Sequence, residues 1–440
     1  MTPLQIAWSA VEPSLRGPWS APEDVAERPF ELPPPAAPAL RFGRIFSGPA
    51  WPAGLPGLDR LAPAPLATGG LAAEGDPVLL FAPSGEAPKP VCCRRRDGGV
   101  AWSIDPAAWI RTILAEDYVL GPKRPLPSRI PFVNYSRAPF ALKRILTRLQ
   151  DPAREAPPPE IPFPELPLDD LVERIRELCA RLAWGRASAP CGWPRGARAA
   201  VVVSHDVDSR WILDPARADL LARIIDGESA LGFPAVWYVV ADQLRLPAHD
   251  RALGRLRDAG HELGAHGWNH DGRLAYASPA RQAERLERIL QRMAGHGVSG
   301  LRTPWYARAP GLFAAIAGRF AHDSSVPNTS GFFSSRTRSG CCSLLPYEPA
   351  PGLVEIPMTL PPDTALRVER RRIALGEVAE AIIERGGVVV VTMHPQPHQS
   401  GNAAGLEAHL GLLRDLRERH GASLWCTTPG AIVEWYRART

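Results

Sequence analysis

From about Gly196 to the C-terminus, short apolar runs alternate with amphipathic stretches, and this alternation limits the fold more than any other feature. Ala199 to Val203 is the first run. Pro234 to Val240, His261 to Ala265, Ser299 to Thr303, Leu353 to Met358, Val388 to Met393 and Ser423 to Thr427 follow it. Helical spacing fills the intervals, over Ala216 to Leu231, Arg251 to Ala259, Pro279 to Ala294, Glu377 to Glu384 and Leu406 to Arg419. Strands that are apolar along their whole length are buried on both faces, which means parallel strands covered by helices. About 245 residues with roughly seven such units suit a closed α/β barrel better than an open sheet.

The chain before this point is different. Proline makes up 49 of 440 residues, about twice the usual share. It clusters at Pro33 to Pro38 and Pro152 to Pro167, which read as extended connectors because proline fixes φ and lacks an amide donor. Between the clusters, Pro77 to Ala82 has the character of a buried strand. Asp105 to Tyr118 and Ala141 to Leu149 have helical spacing, the first behind an Asp-Pro start. Leu168 to Trp184 is strongly amphipathic, with Leu171, Ile175, Leu178 and Leu182 on one face. The expected organisation is therefore a proline-rich, mixed α/β accessory region over 1–165, a linker helix over 166–195 and the barrel over 196–440. No chemical motif marks the accessory region.

Composition narrows the function class. A net charge of +5 is spread as scattered arginines on helices such as Arg281, Arg285, Arg288 and Arg292, not as a basic stripe, so nucleic acid is not an expected partner. No apolar run is long enough for a membrane span. The N-terminus, Met1 to Pro13, lacks the basic and apolar regions of a secretory signal. The seven cysteines (Cys92, Cys93, Cys179, Cys191, Cys341, Cys342 and Cys426) are odd in number and include no Cys-x-x-Cys pair. That argues against a disulfide framework and for a reducing compartment. The expectation is a cytoplasmic protein.

Reactive residues gather where the apolar runs end, the position that carries active sites in parallel barrels. Ser204-His205-Asp206-Val207-Asp208 follows the first run. Alternate residues of an extended strand point the same way, so Asp206 and Asp208 either face one cavity or cap the next helix. His266 and His270 follow the third run at i, i+4 spacing, which brings two imidazoles together on one side of a helical turn. They read as a pair for one metal ion or as two surface histidines. Arg302, in Leu301-Arg302-Thr303-Pro304-Trp305-Tyr306, is placed to grip a carboxylate in a bidentate pair, catalytic or structural. His394 leaves the valine run Val388 to Val391 as a general-acid candidate or a hydrogen-bonded core histidine.

In this order the motifs resemble the polysaccharide deacetylases with a NodB-type homology domain. The resemblance runs from about Ala199 to the end. Asp206-Val207-Asp208 is similar to the first motif in its Asp-x-Asp form, and Gly260-His261-Glu262-Leu263-Gly264-Ala265-His266 through His270 to the histidine motif. Arg302-Thr303-Pro304-Trp305 is similar to the Arg-x-Pro-aromatic motif and Met393-His394 to the terminal histidine motif. The resemblance implies a distorted barrel of the deacetylase type. It implies that Asp208, His266 and His270 bind a divalent ion, usually zinc, that Asp206 is the base oriented by Arg302, and that His394 is the acid. It also implies that the backbone amide of Trp305 stabilises the oxyanion. Asp323, in His322-Asp323-Ser324-Ser325, is the candidate for tuning His394.

The implied activity is metal-dependent removal of an N-acetyl group from a sugar or polysaccharide. Two features depart from the usual pattern: Val207 separates the two aspartates, and Tyr306 stands where glycine is common. Both bear on the substrate more than on the metal. The alternatives are hydrolysis of a non-sugar amide on the same site and a non-catalytic glycan-binding barrel.

Overall fold

The computed structural model describes residues 192–309, 311–328, 340–364 and 373–438. Of the earlier chain it describes five strands and the short pieces 113–116 and 168–169. Those five strands are β1 (Leu40–Arg41), β2 (Arg60–Pro63), β3 (Asp76–Phe81), β4 (Lys89–Arg94) and β5 (Val100–Trp102). They form an antiparallel sheet in sequence order. The strand expected at Pro77 to Ala82 is β3, paired on both edges. The helices expected over Asp105 to Tyr118, Ala141 to Leu149 and Leu168 to Trp184 lie outside the described residues, apart from 113–116 and 168–169.

The second sheet is built around β6 (Ala199–Val207), which is buried throughout. The remaining strands are β7 (Ala235–Val239), β8 (Glu262–Ala265), β9 (Gly300–Leu301), β10 (His322–Asp323), β11 (Tyr347–Ala350), β12 (Leu353–Glu355), β13 (Val388–Met393) and β14 (Leu424–Thr427). They are ordered β11-β12-β10-β9-β8-β7-β6-β13, and every pairing is parallel except β11 with β12. β6 is shared three ways. β13 runs along 200–205, while β14 takes the first half of the other edge at 199–202 and β7 takes the second half at 203–207.

The sheet curls into a distorted barrel whose last seam is closed by a side chain. The chain beyond β12 pairs at Met358 with Pro327. The Thr359 hydroxyl then donates to the Val388 carbonyl at 2.7 Å and accepts from the Val390 amide at 2.9 Å. One hydroxyl thus meets two backbone groups that a regular ladder would have paired.

Helices cover the outside: α1 (Ala218–Ala230), α2 (Pro247–Asp258), α3 (Pro279–Arg292), α4 (Leu312–Ile316), α5 (Leu375–Glu384), α6 (Ala403–His420) and α7 (Pro429–Arg437). Proline opens α2, α3 and α7, where its missing amide costs nothing. Asn402 caps α6 by accepting from the Gly405 amide at 3.0 Å.

The period of two along β6 places the chemistry. Ala199, Val201 and Val203 pack outward with Leu221, Ile224 and Leu413 of the helices. Ala200 and Val202 pack inward with Val236, Tyr238 and Met358. Asp206 therefore points into the barrel and His205 into the helix layer. A one-residue slip would exchange them, and it is opposed because it would turn the Asp206 carboxylate away from Arg302 and into the apolar layer under the helices.

Two glycines make room for the barrel interior. Gly264 and Gly300 are paired across β8 and β9. A Cβ on Gly264 would lie 2.4 Å from the Tyr238 ring, and one on Gly300 would lie 1.8 Å from the His322 ring. The Tyr238 hydroxyl and His322 Nε2 then meet at 3.2 Å above them.

The structure adds elements the sequence pattern did not suggest. β10 is two polar residues, β11 is a short antiparallel edge strand, and α4 and α7 are short helices. The strand expected over Ser299 to Thr303 narrows to Gly300–Leu301. Among the described residues, no helix is long and apolar enough to cross a membrane. Cys341 and Cys426 are free thiols.

Candidate metal and catalytic site

The C-terminal ends of β6, β8, β9 and β13 converge at one mouth of the barrel. Asp206 is the penultimate residue of β6, and Asp208 follows its end. The two aspartates share one face, as the alternation requires. His266 follows β8 directly. His270 reaches the same point differently from the helical turn expected for i, i+4 spacing. Residues 266–270 form a bend with left-handed backbone at Gly267 (φ 74°) and His270 (φ 55°). The bend sets the two imidazole centroids 5.0 Å apart.

Asp208 Oδ1 lies 2.9 Å from His270 Nε2 and 3.4 Å from His266 Nε2. Neither approach has hydrogen-bond geometry, and Oδ1 is buried with no hydrogen-bond partner. His266 Nδ1 donates to the Arg302 carbonyl at 2.9 Å. That bond fixes the tautomer and turns the Nε2 lone pair toward Asp208. Burial raises the Asp208 carboxyl pKa, but His270 and His266 outweigh it and hold the group well below the usual carboxylate range. An ionised carboxylate and two imidazoles converging on one point, with no contact of hydrogen-bond geometry between them, fit a divalent ion such as zinc and leave coordination positions open.

A second trio among the described residues has similar composition but not this signature. His205, Glu228 and His409 also bring three donor atoms within 4.8 Å of one another. Here the two Nε2 groups make true hydrogen bonds to Glu228 Oε1, at 2.8 and 2.7 Å. His205 Nδ1 is buried without a partner. The trio is a hydrogen-bonded tie between β6, α1 and α6.

Asp206 sits beside the Asp208 group. Arg302 Nη1 donates to Asp206 Oδ1 at 2.8 Å and to the Ser204 hydroxyl at 2.9 Å. Nε and Nη2 are spent on the Ser324 carbonyl and hydroxyl, at 2.9 and 3.0 Å. The grip expected to be bidentate is thus single-pronged, because Ser324 takes the rest of the fork. The guanidinium is fully buried and lies 4.4 Å over the Tyr238 ring, where cation–π attraction offsets part of its desolvation. The Tyr306 hydroxyl donates to Asp206 Oδ2 at 3.3 Å, and His394 Nε2 lies 3.7 Å from the same oxygen. Burial raises the Asp206 pKa, yet Arg302, His266 and His394 together hold it below its ordinary value. Asp206 is an ionised carboxylate.

His394 is partnered by Asp363, which the sequence reading did not single out. Nδ1 donates to Asp363 Oδ1 at 2.6 Å, and the His394 amide donates to Oδ2 at 2.9 Å. Burial lowers the imidazole pKa, but Asp363, Asp208 and Asp206 raise it to about 9. Asp323, the residue expected to tune His394, is placed elsewhere. Its carboxylate accepts from the Ser325 amide and hydroxyl, at 3.1 and 3.0 Å, and it lies opposite Glu355 in the β10–β12 pairing. Desolvation raises Asp323 to about 6. The strand-end rule that located the other residues also fits Asp363, which follows the run Leu353 to Met358 by a few residues. Two intervening prolines hid the connection.

Trp305 and Tyr306 form a tight turn after Pro304, both with left-handed backbone at φ 64° and 51°. Trp305 Nε1 donates to the His270 carbonyl at 3.3 Å, tying the turn to a metal-ligand candidate.

Fold and site together describe a curled (β/α) barrel with a candidate divalent-metal centre at its strand ends. Over residues 212–316 the chain matches the family model of the polysaccharide deacetylases. That span holds His266, His270, Arg302 and Trp305, while Asp206, Asp208, Asp363 and His394 lie outside it. Among solved structures the chain is similar to a Mycobacterium smegmatis protein assigned as a polysaccharide deacetylase, at 23% identity over 57% of this chain and 94% of that one, with a TM-score of 0.44. It is also similar to Puue allantoinase, at 18% identity over 56% and 92%, with a TM-score of 0.42. A probable polysaccharide deacetylase from Pseudomonas aeruginosa PAO1 gives 19% identity over 56% and 93%, with a TM-score of 0.39. No curated protein matches the chain.

Proposed function

We propose that this protein is a divalent-metal-dependent deacetylase that hydrolyses an N-acetyl group on a sugar or polysaccharide. The reading is carried by one observation. Asp208 Oδ1 and the Nε2 atoms of His266 and His270 converge without hydrogen bonds, and the ionised, arginine-held Asp206 stands beside them.

A divalent ion held by Asp208, His266 and His270 would polarise the acetyl carbonyl and make a water acidic enough to attack it. Asp206 accepts the proton of the attacking water. Arg302 and Tyr306 fix both of its oxygens, so little reorientation is needed. The backbone amide of Trp305 donates to the oxyanion that forms on the acetyl carbon. His394, kept protonated by Asp363, gives its proton to the departing amine. Arg302, Trp305 and His394 thus have one task each. Asp363 takes the tuning task that the motif resemblance had assigned to Asp323.

The test uses purified protein loaded with zinc or cobalt and a panel of N-acetylated glycans, with acetate release as the readout. Activity is expected, and Asp206→Asn is expected to lower kcat by about a thousand-fold or more, as loss of a base and its charge does. Full activity in that variant would overturn the mechanism. The panel includes small linear and cyclic amides. The buried Tyr306 hydroxyl against Asp206 occupies space where glycine would leave an opening, which favours a compact substrate.

A further inference from the structure

The described pieces of the N-terminal region reach the barrel at two places. At 168–169, the Leu168 amide donates to the Cys342 carbonyl at 3.2 Å, and Asp169 accepts from the Leu344 amide and the Ser343 hydroxyl, at 2.7 and 2.9 Å. At 113–116, Ile113 and Leu114 are buried and the Leu114 carbonyl accepts from the Tyr347 hydroxyl at 3.3 Å. The second contact goes further. Glu116 accepts from both Nε and Nη2 of Arg308, and Arg308 is buried. The third arm of the same guanidinium, Nη1, donates to the Tyr306 carbonyl at 2.9 Å.

This carbonyl belongs to the strained turn at the site. Two consecutive non-glycine residues in left-handed backbone, Trp305 and Tyr306, cost about 1–3 kcal/mol each and persist only where their surroundings hold them. The turn is held from one side by the Thr303 amide on the Ser325 hydroxyl at 2.8 Å and by the Tyr306 hydroxyl on Asp206. From the other side it is held by Arg308. We propose that Glu116 is a positioning residue for hydrolysis: through Arg308 it fixes the turn that presents the Trp305 amide and the Tyr306 hydroxyl beside Asp206. The N-terminal region then supplies part of the active-site frame across 192 residues of sequence. Without Glu116, Arg308 loses the carboxylate that accepts from two of its three nitrogens. The buried Glu355, whose carboxyl Arg308 also acts on, is an alternative partner for it to turn to.

The kinetic part of this role rests on the deacetylase reading; the structural part does not. The experiment compares Glu116→Ala and Glu116→Gln with wild type by hydrogen exchange and by kinetics, and uses Asp169→Ala as a control that cuts the other N-terminal contact. Exchange in 303–308 is expected to speed by about ten-fold or more, while β6 keeps its protection. For the kinetics, kcat is expected to fall about ten- to hundred-fold with KM within about two-fold, as for an interaction made only in the transition state. Asp169→Ala is expected to keep wild-type kcat. Glu116→Gln nearly preserves side-chain volume and stands in if the alanine variant does not accumulate. Wild-type exchange at 303–308 in the glutamine variant would overturn the proposal. So would exchange that rises equally across the barrel, or an equal kcat loss in Asp169→Ala. If wild-type protein hydrolyses nothing in the panel, the deacetylase reading falls, and the exchange result still decides whether Glu116 holds the turn.

Discussion

Asp206 and Asp208 are two residues apart and have opposite needs. Asp208 has an oxygen with no hydrogen bond between two imidazoles, whereas both oxygens of Asp206 are met by donors. Each is ionised for a different reason: the histidines pull Asp208 down, and Arg302 is the main group pulling Asp206 down. His394 follows the same logic with reversed sign. Asp363 is the largest influence raising its pKa against burial, so losing Asp363 lowers it. The acid form would then be lost at a lower pH. Asp363→Asn is expected to cut kcat about ten- to hundred-fold and to move the alkaline limb of the kcat profile to lower pH. An unchanged limb would mean that Asp363 does not set the acid. The placement of Asp208 beside His266 and His270 was legible from strand-end position and motif order. The partner of His394 was not, because it depends on which carboxylate the curl of the sheet brings alongside it.

At the scale of elements, β6 is held in register by the Asp206–Arg302 bond and tied to α1 and α6 by Glu228. That carboxylate is buried between His205 and His409; burial opposes ionisation, but the two histidines hold its pKa at about 2. Its folded pKa lies below the ordinary glutamate value, so its contribution is complete above about pH 4.5 and is lost as pH falls toward about 2. Glu228→Gln is expected to lower the urea midpoint at neutral pH and to flatten the loss of stability over that acid range. Equal acid sensitivity in both proteins would refute this. The glycine pair gives a second prediction. Gly300→Ala puts a methyl group into the His322 ring and is expected to destabilise by several kcal/mol, roughly the upper range of overpacking penalties. Thermal unfolding with the metal ion present would measure it. The long strands and helices could be read from sequence because burial on both faces leaves an unbroken apolar run and burial on one face leaves a 3.6-residue period. β10 could not. It is His322 and Asp323, two polar residues paired on both edges, and it is a strand only because Gly300 and Val354 lie beside it.

At the scale of the whole molecule, a metal ion held at the strand ends would tie together elements distant in sequence, since Asp208 leaves β6 and both histidines follow β8. Binding to the folded state alone stabilises it by mass action, by roughly 4 kcal/mol at a thousand-fold excess over Kd. Zinc addition after chelation is therefore expected to raise Tm by several degrees. No shift on adding zinc would favour a barrel that does not use metal. The (β/α) architecture was visible in the alternation of runs. How the N-terminal region meets the barrel was not, because Glu116 and Arg308 pair across the chain and neither stands out in its local pattern.

The central claim is the identity of the metal ligands, and metal content per chain tests it most directly. Wild-type protein dialysed after zinc loading is expected to keep about one ion per chain, as a three-residue catalytic site does. Asp208→Ala is expected to lose that ion, and Glu228→Gln, in the hydrogen-bonded trio behind β6, is expected to keep it. Metal retained without Asp208, or lost with Glu228, would contradict the account.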